Sequence, residues 1–290
     1  MMHDYVIADL RISSEVDLVA IGLRGFSPFE VESSASDAEC TLRINRNMNR
    51  ESLGAEETLA TSYLAEADAE GCFIRCSKGY IYSVARNEEI LFHIDTATGV
   101  VETNITLNSN IDIAILRFGL WVMFGVVLSA NNAIAIHSSA VVADGRCALF
   151  LGESGTGKST HTRLWVENID SARLLNDDSP IIRIIDGEVR VYGSPWSGKT
   201  PCYKNESHPI AGLCRLEQAP CNKIHSLPTI LAIGAILPSC PPVFAHDVTL
   251  QDMICDTVGR LLRTTRAYRL ECLPNEDAAR LSHKTIFANE

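Results

Sequence analysis

The chain has 290 residues and a formal net charge of −11, with 46% hydrophobic and 21% charged side chains. That length supports one large core or two smaller ones, and the balance is that of an ordinary globular protein. An acidic surface repels polyanions and anionic lipid, which argues against nucleic acid and membrane as partners.

The N-terminus, Met1-Met2-His3-Asp4-Tyr5, has no basic stretch followed by an apolar one, so no secretory signal is read there and the cytoplasm is the expected location. Ten cysteines are scattered along the chain without a CxxC pair, Cys72 and Cys76 being the tightest spacing. Structural zinc sites show two close pairs, so these cysteines read as small buried hydrophobes in a reducing compartment.

Residues 1–108 read as a smaller β-rich domain. The runs 72–76 and 80–84 carry aromatic and β-branched residues, 91–95 alternates apolar with polar, and Lys78-Gly79 and Thr98-Gly99 punctuate them as turns. Segment 51–70 is rich in Ala, Leu and Glu, which favours a short helix. No catalytic pattern occurs here, and a packing or docking role is expected. Residues 111–130 are apolar enough to suggest a membrane span. However, the stretch contains Asp112 and Arg117 and runs straight into a strand-like segment, so it reads as a buried linker helix opening a second domain, 109–290.

Within that domain, Gly152, Glu153, Ser154, Gly155, Thr156, Gly157, Lys158 and Ser159 fit G-x-x-x-x-G-K-[ST] at every position. Glycines let the backbone curl so that successive N–H groups converge on phosphate oxygens. Lys158 supplies a mobile positive charge, and Ser159 a hydroxyl where Mg²⁺ takes an oxygen ligand. The strand-like run 147–151 precedes the motif. The helix-like run from Thr160 to about 166 follows it and turns its positive N-terminus toward the phosphates. The expected ligand is a nucleoside triphosphate with Mg²⁺; ATP, GTP and pyrophosphate are not distinguished.

Two Asp-Gly pairs mark hairpins. Asp144-Gly145 folds 134–142 against 147–151, pairing Ala143 with Arg146, Ser139 with Phe150 and His137 with Gly152, so His137 is expected beside the phosphate loop. A partner strand running antiparallel to the loop strand predicts a mixed sheet and not the all-parallel arrangement. Downstream, 173–175 ends in Asn176-Asp177-Asp178. Two adjacent carboxylates near a triphosphate are costly unless a cation lies between them, which is the physical case for Mg²⁺. Asp186-Gly187 turns the second hairpin, pairing Arg183 with Arg190 and Asp178 with Pro195. That brings 193–199 back beside the aspartates and makes Lys199 a candidate for steadying the transferring phosphate or anchoring the substrate. Trp196 reads as a packing anchor. Residues 253–266 read as a basic amphipathic helix and 268–272 as a late strand.

His137-Ser138-Ser139-Ala140, the loop 152–159 and Asn176-Asp177-Asp178 together resemble HPr kinase/phosphorylase and the kinase core of ATP-dependent phosphoenolpyruvate carboxykinase. The resemblance covers roughly 134–200. It implies an α/β (α+β) fold with a P-loop kinase core on a mixed, partly antiparallel sheet. Lys158 would bind the transferring phosphate, one of Asp177 and Asp178 would take the hydroxyl proton, and the other would help Ser159 hold Mg²⁺. Asp178 is favoured as base and Asp177 as metal ligand, with His137 tuning the base. The Glu-x-Arg-Gly-x-Gly segment that follows the aspartates in HPr kinases is absent, so the resemblance does not name the acceptor. The expected activity is phosphorylation of a hydroxyl, a serine of a protein or peptide or a small alcohol, by a chain in which homo-oligomers are allowed by analogy. The alternatives are a nucleotide-gated binding module without catalysis and a carboxykinase-like enzyme.

Overall fold

Alternating and fully apolar runs fold into two separate sheets, one in each of two units. The computed structural model describes residues 1–33, 37–198 and 200–288. The first unit comprises 1–131 and 243–251, the second 132–242 and 252–290.

In the first unit, β1 (His3–Ile7), β2 (Leu10–Ser14), β3 (Glu30–Val31), β4 (Cys40–Ile44), β5 (Ala55–Leu64), β6 (Ala69–Cys76), β7 (Gly79–Val84), β8 (Ile90–Asp95) and β9 (Val100–Thr103) form one sheet in the order β3-β1-β2-β4-β9-β8-β7-β6-β5. Segment 51–70, expected as a helix, is instead the edge strand β5 with its return into β6. Thr58, Thr61 and Tyr63 suit a strand, and pairing with β6 outweighs the helical preference of Ala and Glu.

Helix α1 (Asn110–Ala130) is capped by Ser109, whose hydroxyl accepts from the Asp112 amide while the Asp112 carboxylate accepts from the Ser109 amide. By length and composition it could cross a bilayer, yet 61% of its most apolar window is buried inside the protein. It packs on β7 and β8, and Gly119 makes this possible, since a Cβ there would meet the Phe92 ring at 2.5 Å. The helix therefore belongs to the first unit, and the division falls at 131/132 instead of the expected 108/109. Segment 243–251 is tied in by Asp247, buried, which accepts from Arg75 Nη2 at 2.7 Å and from the Tyr80 hydroxyl at 2.9 Å.

The second unit contains β10 (Ala133–Ala135), β11 (Ser138–Ala143), β12 (Arg146–Leu151), α2 (Lys158–Asn168), β13 (Arg173–Asp178), β14 (Ile181–Ile185), β15 (Glu188–Tyr192), β16 (Ser207–Gln218), β17 (Lys223–Ser226), α3 (Thr229–Ile236), α4 (Val248–Thr264, whose first turn lies in the first unit), β18 (Ala267–Cys272) and α5 (Glu276–Phe287). Its sheet runs β10-β14-β15-β16-β12-β11-β13, with β18 also beside β16 and β17 beside β18. β12 is antiparallel to β11 and parallel to β16, so the sheet is mixed. The residues of β12 from Cys147 to Leu151 are almost wholly buried, as a strand covered on both faces requires. Trp165 of α2 anchors the core between Phe150, Tyr268 and Ile286.

Both Asp-Gly turns form, with positive φ at Asp144, Gly145, Asp186 and Gly187. The registers Ala143↔Arg146, Ser139↔Phe150 and Arg183↔Arg190 follow as expected. The expected continuous strand 134–142 is broken, however. β10 pairs with β14, and β11 pairs with β12 and β13. At the break the Ile136 amide donates to Pro180 O and the His137 amide to Ser239 O at 2.7 Å, so the chain changes partners there.

Candidate functional site

The loop after β12 owes its shape to glycine. Gly152, Gly155 and Gly157 sit at φ of 151°, 84° and 104°, a region that other residues adopt only under strain. Thr156 donates its hydroxyl to Glu153 O and closes the loop on itself. Gly157 is the N-cap of α2, so the first amides of that helix face the loop interior. Lys158, only 9% exposed, folds back and donates from Nζ to Gly152 O at 2.7 Å and Glu153 O at 3.2 Å. Burial pushes its ammonium below the usual lysine range, against the pull of Asp178, Glu153 and Asp177. A cation resting on loop carbonyls is poised to move to a stronger anionic partner.

Strand β11 lies between the loop strand and the aspartates. Ser138 pairs with Leu151 on one side and Asp178 on the other, and Ser139 with Phe150 and Asp177. The register with β13 shifts between Ala140 and Val141, leaving Leu175 as an extra residue. Such bulges re-aim side chains at strand ends. Asp177 is 5% exposed, and its Oδ1 accepts from the Ser159 hydroxyl at 3.0 Å and from the Ser139 hydroxyl. Among the described residues no lysine or arginine forms an ion pair with it. A buried carboxylate that accepts from two hydroxyls, one of them that of the loop serine, is a hard oxygen donor set that fits Mg²⁺. Asp178 is half-buried, and its φ of 152° lies where glycine is at ease and aspartate is strained.

Pairing of β11 with β12 stops at Ser138, one residue short of the expected His137–Gly152 pair. The His137 side chain is exposed at the edge of the site and still feels its charges. Partial withdrawal from water and then the Lys158 ammonium push its imidazole below the usual range, while Asp178, Glu153 and Asp177 act in the opposite sense.

The second hairpin returns to the aspartates two residues out of the expected step. Asp178 bridges Ser197, not Pro195. The ladder ends at Ile181↔Tyr192, and the buried Asn176 then organises the connection. Its amide donates to Ser194 O at 3.3 Å and Trp196 O at 3.1 Å, while the Ser194 hydroxyl donates to Ser179 O at 2.6 Å. These bonds push 193–196 out of the regular step. Gly198 donates from its amide to Asp177 O at 2.6 Å, and a Cβ there would come within 2.9 Å of that oxygen. Trp196 is buried, as a packing anchor should be. Lys199 lies outside the described residues.

Two residues were given no part in the site by the sequence reading. Ser139 steadies Asp177 from the central strand. Arg215, opposite Leu151 in the parallel β12–β16 pair, donates to Glu153 Oε1 at 2.7 Å and to Ala235 O at 3.1 Å. A lone arginine in the apolar run Leu213-Cys214-Arg215-Leu216 was the available signal, but only the β12–β16 pairing brings it to the loop.

No protein-family profile matches the sequence, and no curated protein matches it. Among solved structures, the Hpr(Ser) kinase/phosphatase from Coxiella burnetii is similar over 53% of this chain and 93% of that one, at 11% identity and a TM-score of 0.30. Likeness at that level is distant, and the functional reading rests on the geometry above.

Proposed function

We propose that the chain is an ATP- and Mg²⁺-dependent phosphotransferase that moves the γ-phosphoryl group onto an alcohol, a seryl hydroxyl of a protein or peptide. The observation that carries this reading is the meeting of Ser159 and Asp177 at 3.0 Å, one from the glycine-rich loop and one from the end of β13. These two residues would hold Mg²⁺, which when bound neutralises charge on the β- and γ-phosphates. Amides of the loop and of the first turn of α2 cradle the phosphates, and Lys158 leaves the carbonyls of Gly152 and Glu153 for phosphate oxygens. Asp178 takes the proton of the acceptor hydroxyl as that oxygen bonds to the γ-phosphorus. The bond from this phosphorus to the β–γ bridging oxygen breaks, and its electrons leave with ADP. His137, whose imidazole feels the charge of Asp178, would tune that carboxylate, and Lys199 keeps its candidate role on the transferring group.

The roles separate by mutation. Lys158→Ala is expected to weaken Mg-ATP binding and abolish turnover. Asp178→Asn is expected to spare binding and lower turnover ~10²–10⁴-fold. Binding titrations beside initial rates check this; equal loss of binding in both variants would contradict the division. Tight binding without turnover in the wild type would favour a nucleotide-gated module.

A further inference from the structure

The glycine-rich loop sits at the end of β12, between two unlike neighbours. On the β11–β13 side lie the aspartates and His137. On the β16–β18 side opens a cleft of about 590 Å³ that the proposed chemistry does not use. One wall is the loop itself at Gly155, Thr156 and Gly157. The other is built by the ends of β16 and β18, with Ala219, Pro220, Leu273 and Pro274 lining it and Leu216 at its buried floor. Leu273 is 38% exposed, a large apolar side chain left in water beside a phosphate-type loop. A triphosphate lying in the loop with its γ end at the aspartates would have its other end toward this side, since β11–β13 and β16–β18 flank β12 on opposite sides.

Of the cleft's polar side chains, Gln218, Thr156 and His161 are already engaged, and Thr160 stands at the loop end of the cleft, in the first turn of α2. Gln218 donates its amide to Gly155 O at 3.3 Å, and Thr156 donates to Glu153 O. The ring of His161 meets the Ser282 hydroxyl at 3.0 Å, and the Ala219 amide donates to Cys272 O at 3.1 Å. Away from the loop the lining is mostly apolar, which suits an aromatic ring held chiefly by contact.

We propose that this cleft seats the purine base of the nucleotide and grips it by shape and dispersion without reading its edge, so that ATP and GTP serve alike. The inference rests on the phosphotransferase reading and extends it to the far end of the nucleotide. The test is calorimetric titration of the full chain, with Mg²⁺, by ATP, GTP and inorganic tripolyphosphate. Ala219→Trp fills the cleft, and Leu273→Ser strips its exposed wall at a site tolerant of polarity. ATP and GTP are expected to bind wild type within a few-fold of each other. Both variants are expected to weaken both nucleotides about ten-fold and leave tripolyphosphate unchanged. A preference beyond about ten-fold between ATP and GTP, or nucleotide affinity unchanged in both variants while wild type binds all three ligands, would overturn the base seat alone. Failure of wild type to bind either ATP or tripolyphosphate would overturn the phosphate-loop reading and the base seat with it.

Discussion

Asp178 concentrates two opposing demands in one residue. In the proposed reaction its carboxylate would serve the acceptor hydroxyl, and its φ of 152° is a conformation that suits glycine. Strain of this kind costs on the order of 1–3 kcal/mol and persists where the surroundings impose it, here the bridge to Ser197 and the Gly198 amide bonded to Asp177 O. The ordinary stability order at a strand end, alanine above glycine, should therefore reverse. Asp178→Gly is expected to unfold at higher denaturant than Asp178→Ala, by about 1 kcal/mol, with turnover lost in both. The reverse order in chemical denaturation would show that the backbone there is unstrained. None of this was legible in Asn176-Asp177-Asp178. The motif announced two carboxylates at a strand end, while the bulge at Leu175 and the Asn176 clamp beside them come from pairing with distant segments.

Among elements, the hairpins were the most legible because an Asp-Gly turn fixes its register locally, and both ladders follow the count outward from the turn. Prediction failed where a side chain or a change of strand partner intervened, at His137 and at 193–196. Segment 51–70 failed for a different reason, since its composition favours a helix while a neighbouring strand offers better pairing. The packing of α2 on α5 was also hidden. His161 Nε2 lies 3.0 Å from the Ser282 hydroxyl, and the Trp165 indole donates to the same hydroxyl at 2.9 Å. Burial pushes the His161 imidazole down to about 4. The unfolded chain takes up this proton near pH 6.5, and the folded chain does so only near pH 4. The site's contribution is therefore whole above about pH 6.5 and is lost as pH falls toward 4. Moving from pH 7 to pH 5 is expected to cost on the order of 2 kcal/mol through this residue, and His161→Gln should remove that part of the slope. Urea unfolding followed by tryptophan fluorescence measures both, and equal slopes would contradict the assignment.

At the scale of the whole molecule, the sequence correctly announced a β-rich first part and a mixed sheet carrying the glycine-rich loop. It misplaced α1, whose glycine contact with Phe92 makes it part of the first unit. It also gave no sign that 243–251 rejoins that unit through Asp247 and Arg75, which are 172 positions apart. Long-range ion pairs of this sort leave no local pattern to read. The loop was legible because its chemistry is contiguous, whereas its surroundings, Ser139 and Arg215 among them, are assembled from separate strands. The measurement that tests the central claim most directly is transfer of label from γ-labelled ATP with Mg²⁺, by wild type and Asp178→Asn, with and without an extract of the source cells. The account predicts a labelled acceptor, carrying phosphoserine, that appears with wild type and disappears with the variant. Wild-type protein that binds ATP yet labels nothing in any extract would contradict it.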